Sequence, residues 1–234
     1  MESYLEKYNG IKPETLFLLA DNRFRNSRDF YLEHKEEIKK GAIVPMRQIA
    51  SIIGSELLDL DPQMRLNPVY MVSRVRRDTR YTKDKSLYRE NLWIMFGRDK
   101  RQWPNYPALW FEISPTGYDL GIGFYGDDKG LFDIFRKALR ERTDEFLKAA
   151  KSCEATGALA YGESYKKKQF EGCPEGLEDY YNRKSFGYIT AWSDIGDLAD
   201  EKIIEIIRGY YKAFAPMYKF MLSVSDEYFS EAEE

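Results

Sequence analysis

Apolar residues along the first sixty positions recur at helical spacing. Pro13-Glu-Thr-Leu-Phe-Leu-Leu-Ala predicts a short helix with Pro13 in a first-turn position. A second helix is predicted from about Arg25, capped by Asn26 or Ser27, running through Phe30, Leu32 and Ile38 to a break near Gly41. A third, Pro45 to Leu60, carries Met46, Ile49, Ile52, Ile53 and Leu57 on one stripe and stops at Asp61-Pro62. The period then changes. Val69, Met71, Ser73 and Val75 alternate with Tyr70, Val72, Arg74 and Arg76, which is strand behaviour, and Leu92–Phe96 reads as a second strand. Ala108–Ile113 and Tyr118–Tyr125 flank Ser114-Pro-Thr-Gly117, predicting a hairpin.

Helical spacing returns at Leu131, Phe135, Ala138, Leu139, Phe146 and Leu147, which predicts one helix over about 129–151. Residues 157–195 are mixed, with strands expected near Leu159–Tyr161 and from Gly187 to Trp192. The last helix, about 200–222, has Asp200 as its cap and Ile203, Ile206, Ile207, Tyr210, Phe214 and Tyr218 along one face. Pro216 should kink it, and the acidic tail Ser223–Glu234 should fray. The sum is an α+β protein: a central, mainly antiparallel sheet of four to six strands packed with N-terminal and C-terminal helices, residues 1–234 forming a single domain.

Composition narrows the classes. With 43% hydrophobic, 15% aromatic and 32% charged residues the chain can build a core without disulfides or metal. Cys153 and Cys173 are too few for a four-ligand zinc site and read as reduced thiols, so no metal and no cofactor is expected. The start of the chain lacks the basic and apolar regions of a signal peptide, and no apolar run approaches membrane-spanning length; a cytoplasmic location, without membrane association, is the expectation. The net charge of −3 excludes a protein that binds polyanions through its overall field.

Residues 74–90 depart from that balance. Arg74, Arg76, Arg77, Arg80, Lys83, Lys85 and Arg89 stand against only Asp78, Asp84 and Glu90. On a strand Arg74 and Arg76 share a face, and Arg80, Lys83 and Lys85 follow in a loop able to fold back over it. Converging guanidinium groups suit phosphate or carboxylate, because each fork offers two parallel donors. Arg74, Arg76, Arg80, Lys83, Lys85 and Tyr88 are therefore the candidate anion contacts, with Asp78 and Asp84 orienting them. Two other readings use the same residues: a nucleic-acid surface with Tyr81, Tyr88 and Trp103 stacking on bases, or an internally paired ion network with a structural role.

Other signals are weaker. Gly121 and Gly123 leave one face of their strand bare, which invites close approach by a helix, a backbone or a ligand. His34, the only histidine, lies among Glu33, Lys35, Glu36 and Glu37 and reads as a surface residue; its isolation argues against Ser-His-Asp and Cys-His machinery. The Lys166–Lys168 run reads as a solvated face. No catalytic motif is recognisable.

Arg74-Val-Arg-Arg-Asp-Thr-Arg-Tyr-Thr-Lys-Asp-Lys-Ser-Leu-Tyr-Arg89 resembles the central pattern of a bacterial family known as domain of unknown function 2461, approximately R-x-x-R-D-T-R-[FY]-[ST]-K-D-K-[ST]-x-Y-K. Phe17–Asn22 with Arg28–Tyr31, Trp110–Ile113 with Leu120–Tyr125, and Cys173–Gly176 with Lys184–Phe186 extend the likeness over most of the chain. Arg89 replaces the usual Lys, and Arg28-Asp stands where the family often has Glu-Trp. The resemblance implies a continuous fold and a shared basic loop, but supplies no activity and no catalytic residues.

Overall fold

The computed structural model describes residues 7–99, 103–167 and 171–232; the signal-peptide reading of the first residues, Lys168 and the ring of Trp103 lie outside the described residues. Helix α1 is Pro13–Arg25 and α2 is Arg28–Ile38. Asn26 between them adopts left-handed φ (48°), and the Ser27 side chain accepts from Phe30 N to cap α2. Near Gly41 the chain does not break. It makes a π-helical turn, Lys39–Ile43, and passes into α3, Val44–Glu56.

The strand expected at 69–76 is not there. Asn67 accepts a hydrogen bond from Val69 N at 3.1 Å and Pro68 occupies the first turn of α4, Pro68–Met71, so cap chemistry overrides the alternation. Beyond it the chain forms an irregular antiparallel ribbon with bridges Val72↔Ile94 and Arg76↔Tyr88, the latter flanked by Arg77 N→Leu87 O and Arg89 N→Val75 O. Residues 78–86 form its tip.

Strands β1 (Leu92–Phe96), β2 (Pro107–Ser114), β3 (Gly117–Phe124), β4 (Leu159–Tyr161) and β5 (Gly187–Ile189) form an antiparallel sheet in the order β1-β2-β3-β5-β4. Beyond β5 the pairing resumes as Tyr118↔Ser193, one residue out of register with Gly121↔Ile189, so a bulge falls at Ala191-Trp192, opposite Asp119. Helices α5 (Lys129–Glu141), α6 (Thr143–Glu154), α7 (Glu178–Tyr181) and α8 (Lys202–Ala232) complete the chain. The single helix expected over 129–151 is interrupted at Arg142 (φ −131°, ψ 43°). The tail does not fray: α8 runs unbroken through Pro216 to Ala232, held by Glu227 and Glu231, which pair with Lys137. Asp200 caps it as expected, accepting from Lys202 N at 2.8 Å.

The chain packs as two compact units, each assembled from three segments: residues 1–96, 110–119 and 192–208 in one, and 97–109, 120–191 and 209–234 in the other. The first buries Ile11, Leu16, Leu19, Met46, Ile49, Ile53, Leu92, Ile94, Phe111 and Tyr118. The second is built on aromatic rings: Phe135 meets Phe124, Phe132, Phe146 and Phe220 edge-on at 5.7–6.3 Å between centroids. There the bare strand face at Gly123 is filled from within. A Cβ would meet Phe186 O at 2.9 Å and the Tyr161 hydroxyl at 3.0 Å, so neighbouring backbone and a tyrosine occupy the space rather than a helix or a ligand.

Candidate functional site

In the first unit, the ribbon's pairing decides which basic residues meet. Val75 is buried between Arg74 and Arg76, which both point outward and are exposed. Arg77 falls on the opposite side and is turned inward. Tyr88 is not available as a ligand contact: it is 3% exposed and stacks on Tyr31 at 4.8 Å between centroids.

Asp84 organises the tip. Its Oδ1 accepts from Ser86 N at 2.9 Å and from the Ser86 hydroxyl; its Oδ2 accepts from Arg77 and, at 3.0 Å, from Arg23 of α1. The Ser86 bonds, followed by the two guanidinium groups, hold the Asp84 carboxyl far below the usual carboxylate range. Arg23 also donates to Tyr88 O at 3.2 Å, and Asn26 accepts from Leu87 N at 2.6 Å. The end of α1 thus clamps the ribbon.

Arg80 and Asp78 pair with each other at 2.7 Å on the exposed side, where hydrogen bonds from Arg80 lower the Asp78 carboxyl to about 2. Lys85 donates to Thr79 O at 2.8 Å. Arg74, Arg76 and Lys83 make no ion pair among the described residues, and Tyr81 is exposed beneath Arg80. The eight candidate residues are therefore divided. Asp84 alone reaches the cleft described next; Tyr88 is core, and Arg74, Arg76, Asp78, Arg80, Lys83 and Lys85 lie outside its lining.

That cleft, of about 460 Å³, is lined by Arg23, Arg77, Asp84, Arg89, Glu90, Asn91, Glu112, Ser114, Thr116 and Trp192. Arg89 lies over the Trp93 ring at 4.5 Å. Asn91 Nδ2 donates to Glu112 at 2.5 Å, and the Ser114 and Thr116 hydroxyls are 2.8 Å apart. The two-residue turn Pro115-Thr116 sets Ser114 opposite Gly117 and hence Glu112 opposite Asp119. On the other side of Asp119 comes Trp192, beside the Tyr118↔Ser193 bridge. Asp119 thus stands between two residues of the cleft wall.

Asp119 is only 4% exposed, and its Oδ1 has no hydrogen-bond partner among the described residues. Burial first, and the Glu112 carboxylate second, push its carboxyl up to about 7, against the pull of a hydrogen bond from Trp110. At that value the group can take up or release a proton near neutrality. Sequence reasoning missed Arg23, Glu112, Asp119 and Trp192. The carboxylate pair had a signal, because residues equidistant from a two-residue turn face one another.

Other candidates fall away. His34 bonds Phe30 O at 3.0 Å, stacks on the Phe30 ring and takes no part in the cleft. Lys166 and Lys167 are exposed. Cys153 and Cys173 are free thiols, the former buried. Among the described residues no three His, Cys, Asp or Glu side chains cluster to hold a metal, and no helix is long and apolar enough to cross a membrane.

The model of a family described as conserved hypothetical protein, DUF2461, matches residues 14–220. The chain belongs to this family. The match takes in α1, the ribbon and both strands of the hairpin, so the cleft lies wholly inside the DUF2461 region. No curated protein and no solved structure matches the chain.

Proposed function

We propose that this DUF2461 domain binds a small anionic molecule, phosphate-bearing, in the cleft walled by Arg23, Arg77 and Arg89. One observation carries the reading. Two guanidinium groups from separate elements, α1 and the ribbon, converge on a single oxygen of Asp84, while the serine at 86 serves the other oxygen through its amide and hydroxyl. That is a cradle for an anion with several oxygens; Asp84 fills it from within the chain, and Glu90 adds a longer ion pair to Arg23 at 3.9 Å. Arg89 adds a third cation at the wall. Charge-assisted bonds of this kind contribute about 1.5–3 kcal/mol each, which after association entropy gives millimolar to micromolar affinity.

Isothermal titration with inorganic phosphate, sugar phosphates and nucleotides tests this. Saturable binding, lost in Arg77→Ala and kept in Arg80→Ala, supports it; no binding at several times the millimolar range, or equal loss in both variants, overturns it.

The outer side of the ribbon favours a second reading, a nucleic-acid-contacting surface. Arg74, Arg76 and Lys83 are exposed there without ion pairs among the described residues, and the Tyr81 ring is 88% exposed. Single-stranded oligonucleotide binding that weakens steeply with salt and with Tyr81→Ala supports that reading; salt-insensitive or absent binding removes it.

A further inference from the structure

The cleft's arginines have a counterpart that the anion reading leaves unused. Glu112 and Asp119 face each other across the β2–β3 hairpin, and no Lys or Arg lies within ion-pair distance of either among the described residues. Like charges directly opposite one another on a sheet are destabilising, and a buried carboxylate normally has a cation or a full set of donors. Asp119 has neither: it is 4% exposed, receives one hydrogen bond, from Trp110, and keeps Oδ1 unpartnered. Its neighbours on both sides line the cleft, Glu112 from β2 and Trp192 from the bulge beyond β5.

Resting on the reading of the cleft as an anion site, we propose that its ligand is a zwitterion whose ammonium group is received by Glu112, with Asp119 buried behind the wall adding its negative charge, while its phosphate lies against Arg23 and Arg77. An ammonium group has three donors and a compact charge. It can donate to Glu112, meet the Trp192 ring through cation–π attraction, and feel the unpaired charge of Asp119 between them. Two carboxylates without a third acidic or imidazole ligand make a poor metal site.

The experiment is isothermal titration of the full chain with aminoalkyl phosphates of increasing length, each against the alkyl phosphate of the same length, in wild type, Asp119→Asn, Glu112→Gln and Arg77→Ala. The expected result is that at least one aminoalkyl phosphate binds about tenfold or more tighter than its amine-free match. Asp119→Asn and Glu112→Gln each remove that preference without weakening alkyl phosphate binding, and Arg77→Ala loses both series. Circular dichroism of each variant confirms folding, and Glu112→Gln, at a less buried position, serves if Asp119→Asn does not fold. Equal binding of both series, with loss in Arg77→Ala, sinks the ammonium assignment and leaves the anion site standing. Binding of neither series overturns both. Alkylamines or divalent cations binding alone, with no phosphate contribution, also overturn the zwitterion.

Discussion

Asp84 accepts through both carboxylate oxygens, from Ser86 at one and from Arg23 and Arg77 at the other. If the cleft takes an anion, this side chain is its internal competitor. Asp84→Asn keeps the shape and removes the charge, so phosphate affinity measured by titration should rise about tenfold as the two guanidinium groups lose their resident partner. Because folding lowers the Asp84 carboxyl below its unfolded value, its stabilising contribution is present above the ordinary carboxylate range and is lost as pH falls. The variant's thermal stability should therefore be flatter than wild type on the acid side. Asp119 has the opposite sign. The folded chain holds its proton more tightly than the unfolded chain does, so this contribution is complete below about pH 4 and lost as pH climbs through about 7. Asp119→Asn cannot ionise. Its unfolding free energy relative to wild type, from chemical denaturation, should increase between pH 5 and 8, reaching a gain on the order of 2–4 kcal/mol, the size of a shift of about three pKa units less relaxation. A difference constant with pH would show that Asp119 ionises normally.

At the scale of elements, the sequence was most legible where one signal acted alone. The β2–β3 hairpin, the α3 stripe and the Asp200 cap of α8 all follow from spacing or a single capping residue. It misled where two signals competed. Alternation at 69–76 lost to the Asn67-Pro68 start of α4, where Asn67 accepts from Val69 N and Pro68 presets the helical φ. The interruption between α5 and α6 has no Gly or Pro to announce it. The acidic tail docks because residues far back in the chain receive it: Lys137 pairs with Glu227 and Glu231, Arg98 with Asp226, and the Tyr106 ring stacks on Phe229. The same limit hid half the cleft: Arg23 and Trp192 reach it from segments that no local pattern connects with the basic loop. Gly41 supplies a test at this scale. In the π turn between α2 and α3, a Cβ at 41 would lie 2.5 Å from Thr15 Oγ1 and 2.8 Å from its Cγ2. Gly41→Ala should cost about 1–3 kcal/mol in chemical denaturation, and pairing it with Thr15→Ser, which removes Cγ2, should recover part of the loss.

For the whole molecule, a net charge of −3 means that the global field gives no help to an anion, and any affinity must come from the local arrangement of arginines. The two free thiols offer a measure of the integrity of the second unit that does not depend on any ligand. Cys153 is fully buried on α6, and burial with the nearby Glu154 pushes its thiol up to about 12; Cys173 is partly exposed, its thiol raised less, by burial and by Glu178. A thiol must be both reachable and deprotonated to react. With Ellman's reagent at pH 8 the native protein should label at one site, Cys173, and a Cys173→Ser variant should label at Cys153 at least about a thousandfold more slowly, through unfolding. Under conditions of fast reclosing, the Cys153 rate then reports the free energy of opening. A Cys153 rate close to that of Cys173 would mean that α6 opens locally, independently of the aromatic core around Phe135 and Phe146.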